Sequence, residues 1–282
     1  MKYSDNIVTH REKNGIEYLT FNKLDKYSDK IMVEVTLRRG GVSSSIYKSL
    51  NFRNVGKDNI ENVIKNVEKM CEINDINIEN VYKANQAHTD NILVVDNKNK
   101  NEFSYLNFST REYDAYIIKE KNTYNFVTTA DCNPIVVYDT KNNIIANIHA
   151  GWKGVLKRIY LKAVEKMVNE FGSKKENLIV CIGPSIRKCC FSSEDEEFKK
   201  NFTNIWKNEE EYITYEEDSK RFHIDLIKLI KSDFINFGIL EENIDVCDIC
   251  TACNNEDFYS YRCSKRNNEE DYATFSTWVG LK

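Results

Sequence analysis

The sequence predicts an α/β chain of mixed sheets flanked by helices, on three observations. Short apolar runs of strand length recur from Ile31 to the C-terminal residues. Between them, four segments carry apolar residues at helical spacing. No linker rich in Pro, Gly or Ser divides the 282 residues, so they are read as one domain spanning 1–282.

The elements follow in order. In IMVEVTLRR, Ile31, Val33, Val35 and Leu37 alternate with Met32, Glu34, Thr36 and Arg38, the pattern of a half-buried strand. In DNIENVIKNVEKMC, Asp58 precedes Glu61 by three residues as in a capping box. Ile60, Val63, Ile64, Val67, Met70 and Cys71 then share one helical stripe. Strand-like runs follow at VYKAN, NILVVD, YDAYIIKE, NFVTT, IVVYD and IIANIH, before an amphipathic helix from about Gly154 to Phe171 that stops at Gly172. LIVCIG reads as a short buried strand, and Ser193 to Glu196 as a cap ahead of a helix. FHIDLIKLIKSDFINFG reads as a helix ending at Gly238, and VCDIC and YATFSTWVGL as the last strands.

Composition narrows the function. With 41% hydrophobic and 12% aromatic residues the chain can bury a sizeable core, and a formal net charge of -4 draws no polyanion, so nucleic acid is not an expected partner. MKYSDNIVTHREKNG lacks an apolar signal region and no run approaches the roughly 20 apolar residues of a membrane helix, which predicts a cytoplasmic protein without a membrane partner. Nine cysteines in a chain this long suit free or metal-bound thiols better than a disulfide framework.

TTADCNPIVVYD carries the first chemical signal. Pro134 lacks a backbone donor and is unsuited to the middle of a ladder, so Ala130 to Pro134 is expected to be a corner that presents Cys132 from a strand end. Alone, Cys132 would read as a small buried hydrophobe. In IIANIHAGWKG, however, an apolar strand ends at His149 and a loop opens into a helix whose N-terminus is a seat for an anion, with Lys153 able to add charge. KANQAHTDN places His88 in a turn between strands, whereas His10 and His223 need only surface or capping roles. Should His88, Cys132 and His149 converge, two imidazoles and a thiolate suit Zn²⁺ and leave a fourth position open, the catalytic arrangement. Without metal the same atoms offer Cys132 as nucleophile and His149 or His88 as base, a cysteine hydrolase or amidase.

Seven blocks in order, RGGVSSSIYKSLNFRNVG, NQAH, TTADCNP, NIHAGWKG, CIGPSIRKCCF, FHIDL and CTACNNEDFYSYR, resemble the YfiH-type laccase-domain family. That family was once called multicopper polyphenol oxidoreductases and is now associated with purine nucleoside phosphorylase activity. The resemblance implies a single domain of two packed mixed β-sheets flanked by helices, with zinc held by His88, Cys132 and His149. It implies phosphorolysis of adenosine, inosine and methylthioadenosine, with purine nucleoside and phosphate as partners, and adenosine deamination at the same site. Ser43, Lys153 and Arg262 fall in family blocks as contacts for phosphate or ribose. The older family name adds a copper-dependent oxidase of phenols as an alternative, and the chain is expected to be a monomer or homodimer.

Three departures stand out: Lys153 where the family usually has Arg, Ser192 and Ser193 where an acidic residue follows the aromatic, and EEDYATFSTW in place of Thr-Gly-Arg. A lysine lacks the bidentate fork of a guanidinium, so phosphate affinity or substrate choice is expected to differ. Cys247, Cys250, Cys253 and Cys263 superficially suit an iron–sulfur cluster or a closed zinc site. Two of them already belong to a family block, and an extended strand would separate neighbours. The adjacent Cys189 and Cys190 read as structural or incidental.

Overall fold

The computed structural model of the chain describes residues 2–96 and 98–282. In chain order the first strands are β1 (Val8–Lys13), β2 (Ile16–Phe21), β3 (Ile31–Thr36), β4 (Val81–Tyr82), β5 (Ile92–Val95), β6 (Ala115–Ile118), β7 (Thr123–Thr129) and β8 (Asn133–Asp139). Then come β9 (Ile144–Ala150), β10 (Leu178–Ile182), β11 (Ser192–Ser193), β12 (Ile213–Glu216), β13 (Arg221–Ile224), β14 (Ile244–Val246) and β15 (Phe275–Leu281). The helices are α1 (Asn22–Asp25), α2 (Ile60–Asn74), α3 (Lys100–Phe103), α4 (Trp152–Leu156), α5 (Ile159–Phe171), α6 (Glu196–Thr203), α7 (Leu226–Phe237) and α8 (Tyr261–Arg266). None of the described helices is long and apolar enough to cross a membrane.

Two six-stranded sheets pack face to face, as the expected fold requires. The first runs β1-β2-β3-β15-β7-β4 and the second β14-β10-β8-β9-β6-β5, with a small sheet β11-β13-β12 at one side. Both are mixed, because β4 with β7, β5 with β6 and β10 with β14 are parallel pairs among antiparallel neighbours.

The layers follow from which side chains find an apolar partner. Between the sheets, Val35, Val127 and Val279 meet Tyr116, Val136 and Ile145. On the outer face of the first sheet, α2 lays Val67 and Met70 over Met32, Phe126 and Trp278. Across the second sheet, α5 and α7 pack Ala163, Met167 and Phe234 against Ile117, Val137 and Val180. Each large side chain so buried contributes about 1.5–3 kcal/mol. Covering both faces also explains why β3, expected to be half-buried, is buried at every position, including Glu34. Alternation marked two chemical classes of residue, but helix and sheet cover both.

Several boundaries move. Ahead of β3 the chain forms a hairpin, β1–β2, closed by Asn14 and Gly15, both with positive φ. Asn-Gly between strand-forming residues is its signal. The cap of α2 is Asn59, which accepts from the Glu61 amide, while Asp58 instead receives Asn51 and the Asn59 amide; Ile60 is exposed. Asp195, not Ser193, caps α6. Pro134 lies inside β8, but at its start, where its carbonyl accepts from Gly183. The strand expected at VCDIC ends at Val246. His10 is buried in β1 and His223 lies in β13, so neither has the surface or capping role expected of it.

A polar tie crosses the apolar gap between the sheets. The Asn147 side chain on β9 donates to Asn125 Oδ1 on β7 (3.0 Å) and to the Thr277 carbonyl on β15 (2.9 Å), and Asn125 in turn donates to the Tyr82 carbonyl (2.7 Å). Replacing Asn147 with alanine would deprive buried acceptors on both first-sheet strands. Asn147→Ala is expected to lower stability by about 2–3 kcal/mol, with the slope of urea unfolding unchanged and only the midpoint shifted.

Candidate metal centre

Strand alternation brings the chemistry to one end of the gap between the sheets. Along β9, Ile144, Ala146 and Ile148 pack beneath the helices, so Ile145, Asn147 and His149 face the other sheet. On β6, Tyr116 and Ile118 face the same gap, and Asp114, two residues before Tyr116, shares their side. Cys132 closes the corner from β7 to β8, where Asp131 takes a φ of 86°, and His88 sits in the loop after β4 with a φ of 58°.

The three donor side chains converge. Cys132 Sγ lies 3.5 Å from His88 Nε2, the two imidazole centres are 4.9 Å apart, and one donor atom from each of the three residues falls within 4.8 Å of the others. A tetrahedral zinc with Zn–N of about 2.0–2.1 Å and Zn–S of about 2.3 Å sets N and S about 3.6 Å apart. The trio therefore fits one ion and leaves a position open. Gly151 preserves the fit: a Cβ there would come within 2.9 Å of His88 Nε2 and 3.0 Å of Cys132 Sγ.

Asp114 organises the trio from behind. Its Oδ1 accepts from His149 Nδ1 (2.7 Å) and from the His88 amide (3.1 Å), and its Oδ2 from the amide and hydroxyl of Thr89 (2.6 and 2.7 Å). Holding Nδ1 leaves His149 Nε2 free to bind metal, the carboxylate–histidine pairing of metal sites. Burial works to raise the Asp114 carboxyl, but His149 and Thr89 outweigh it and hold it down to about 2. Burial opposes charge at the other two groups as well. Even so, mutual attraction brings the Cys132 thiol down to about 6 and, with help from Asp114, His149 up to about 9.

The trio opens into a cavity of about 590 Å³, within the usual range for small-molecule sites. Its walls mix cations (Lys83, Lys153, Arg262) with aromatic faces (Trp152, Phe191, Tyr261).

Residues 32–274 match the profile of the multi-copper polyphenol oxidoreductase laccase family. The chain belongs to that family. It is 32% identical over 251 residues to a protein of Bacteroides thetaiotaomicron named purine nucleoside phosphorylase, covering 86% of this chain and 90% of that one. It is 28% identical over 195 residues to a protein of an unknown prokaryotic organism named adenosine deaminase RL5, covering 66% and 71%. The crystal structure of YlmD from Geobacillus stearothermophilus shares the fold, with a TM-score of 0.86 at 20% identity over 99% of this chain and 100% of that one.

The family blocks contribute unequally to the cavity. Lys153 and Arg262 line it, and the Arg262 side chain donates to the Ser192 carbonyl (3.2 Å). Ser43 does not line it: it is buried in the loop after β3, where its hydroxyl accepts from Asn66 on α2 (3.0 Å). The helix expected from Gly154 to Phe171 is two helices, broken where Arg158 adopts a φ of 52°. The piece at the site, α4, has only five residues, so it offers a weaker dipole than a long helix.

Two residues, Asp114 behind the trio and Lys83 in the cavity wall, escape pattern reading. Asp114 precedes an apolar strand, and an acid in that position is its only mark. Lys83 follows β4 and is buried, donating to Gln86 Oε1 (2.8 Å), with its ammonium 4.8 Å from the Phe126 ring centre. Burial drives it down to about 7, against a smaller upward pull from Asp114. The tail cysteines also regroup. Cys250 and Cys253 gather with Cys189 and Cys190, while Cys247 is buried apart and Cys263 Sγ turns to the Ala252 carbonyl (3.3 Å).

Asp114→Asn should weaken metal binding by about 10–100-fold, read by competition with a chromophoric chelator. Lys83 binds its proton more weakly folded than unfolded, so between about pH 7 and about pH 10 the unfolded chain holds more protons and stability rises with pH. Lys83→Met should therefore stabilise the fold by about 3 kcal/mol at neutral pH and flatten that rise, measured by urea unfolding across the window.

Proposed function

We propose that the chain is a zinc-dependent purine nucleoside phosphorylase, acting on adenosine, inosine and methylthioadenosine, that also deaminates adenosine. The observation that carries this reading is the three-donor trio with an open position, set at the floor of a cavity with cationic and aromatic walls. The names of the relatives support it.

His88, Cys132 and His149 would hold the ion. Bound zinc supplies a Lewis acid and brings the pKa of a bound water to about 7. Trp152, Phe191 and Tyr261 offer flat apolar faces suited to a purine. Lys153 and Arg262 are the cations placed to receive phosphate. In phosphorolysis a phosphate oxygen bonds to the anomeric carbon as the bond to purine nitrogen breaks, and that electron pair leaves with the base. Lys83, titrating near neutrality, is suited to pass a proton in the same cavity. In deamination water adds at the purine C6 and ammonia departs. Lysine at 153 gives a point charge in place of a fork, which predicts weaker phosphate binding than in relatives with arginine.

A second reading is favoured by the Cys132–His88 contact of 3.5 Å and the lowered Cys132 thiol, which together also describe a metal-free cysteine hydrolase or amidase. The two separate cleanly. Inosine with phosphate should yield hypoxanthine and ribose 1-phosphate, chelator should abolish that activity, and zinc rather than copper should restore it. Activity that survives chelation but not thiol alkylation would favour the hydrolase. Cys132→Ala should lower phosphorolysis at least about 100-fold, because it removes a ligand and not merely a contact.

A further inference from the structure

Outside the cavity, the chain gathers four thiols from two loops. Cys189 and Cys190 lie in the turn after β10, and Cys250 and Cys253 in the loop after β14. Cys253 Sγ is 3.6 Å from Cys189 Sγ and 3.5 Å from Cys190 Sγ, and all four sulfurs lie within 4.8 Å of one another. A tetrahedral ion with metal–sulfur bonds of about 2.3 Å places its sulfurs about 3.8 Å apart. Iron–sulfur clusters interpose sulfides between the metals and so spread their cysteines further. Disulfide bonding would need sulfurs at about 2.0 Å, and all nine cysteines are free.

The backbone is arranged to hold this geometry. The turn of Cys189 and Cys190 is closed by the amides of Cys190 and Phe191 on the Arg187 carbonyl (2.9 Å each). Ser185 pairs with Cys250 by a bridge, and the Thr251 amide donates to the Ser185 carbonyl (3.1 Å), so the loops are zipped beside the sulfurs. The Cys250 carbonyl is taken by the amide (3.1 Å) and side chain (2.9 Å) of Asn254. Cys250-Thr251-Ala252-Cys253 has the two-residue spacing of structural zinc knuckles. The buried Arg187 guanidinium donates to the Gly183 carbonyl (3.0 Å), the Ser185 hydroxyl and the Cys247 carbonyl, which ties the turn before Cys189 to the strand end before Cys250.

We infer that Cys189, Cys190, Cys250 and Cys253 form a closed four-thiolate zinc site, separate from the His88, Cys132 and His149 centre, that staples the two loops together. Its four protein ligands leave no position for substrate, so its role is structural. The staple bears on the cavity, because both loops are anchored to Asp131 beside Cys132. Thr251 Oγ1 donates to Asp131 Oδ1 (2.6 Å), the Ser260 hydroxyl and the Arg262 amide to Oδ2 (3.0 and 2.7 Å), and the Ile186 amide to the Asp131 carbonyl (2.9 Å). Binding releases the thiol protons to solvent and changes no oxidation state.

The test begins with the full chain carrying Cys132→Ala and His149→Ala, so that the count does not depend on the cavity centre. Purified under reducing conditions without added metal, it should contain one zinc per chain by elemental analysis. Adding Cys250→Ser and Cys253→Ser should bring that to near zero. No zinc in the first variant, zinc unchanged in the second, iron in place of zinc, or an intact mass showing a disulfide would each overturn the proposal. Where the serine variant does not fold, alkylation decides on the first variant alone. Cys189 and Cys253 are exposed, so only coordination would shield them. They should resist alkylation until a chelator strips the ion, and prompt alkylation without chelator would overturn the site.

Discussion

The Asp114 carboxylate is the constraint on which the candidate centre depends. One oxygen fixes the ring of His149 on β9 and the backbone of His88 in the loop after β4; the other fixes Thr89. The two histidines are 61 residues apart in sequence, and the carboxylate sets their relation at a single point. It also holds the backbone at His88, whose positive φ is uncommon outside glycine, by accepting from its amide. A buried carboxylate accepting several donors is a stiff element, because each lost bond would leave a charged or polar group without water.

That stiffness is set in a frame that is apolar nearly everywhere else. The central strands of both sheets are covered on both faces, and their close packing places the strand ends. The gap between the sheets carries the Asn147–Asn125 tie in its interior and opens into the cavity at the end where His149 and Cys132 lie, with Asp114 buried behind them. A cleft results because the apolar side chains that would fill it give way to histidine, aspartate and lysine. Lys83 shows the energetic tension most clearly, since its burial disfavours its own charge at the pH where its neighbours are ionised.

Much of this was legible in the sequence, for identifiable reasons. Cys132 and His149 could be read because a proline and two glycines punctuate apolar strands beside them, and α7 could be read because an apolar stripe runs to Gly238. Asp114 could not, since its importance lies in two partners remote in sequence. The place of Ser43 is not legible, because a block shared with a family marks a loop without saying which of its side chains faces the cavity; this one faces Asn66. The break at Arg158 is hidden for a similar reason. The apolar stripe continues through it, and only backbone conformation distinguishes one helix from two.

The two thiol-bearing groups differ in a way that chemistry explains. At the cavity, three donors of two kinds are backed by a carboxylate and faced by a glycine, which leaves one side of any ion they hold open. In the loops, four donors of one kind lie within 4.8 Å of one another, and the Arg187 and Cys250 carbonyls beside them are already paired with amides. Asp131 joins the two. Its carboxylate gathers the loop of Cys250, while its strained backbone turns the adjacent Cys132 towards the histidines. Displacing that loop would remove donors from Asp131, relax the corner and move the sulfur of Cys132. An open metal site needs its ligands fixed from outside because it lacks a fourth protein ligand to fix them from within, and the cysteine-bearing loops supply that support.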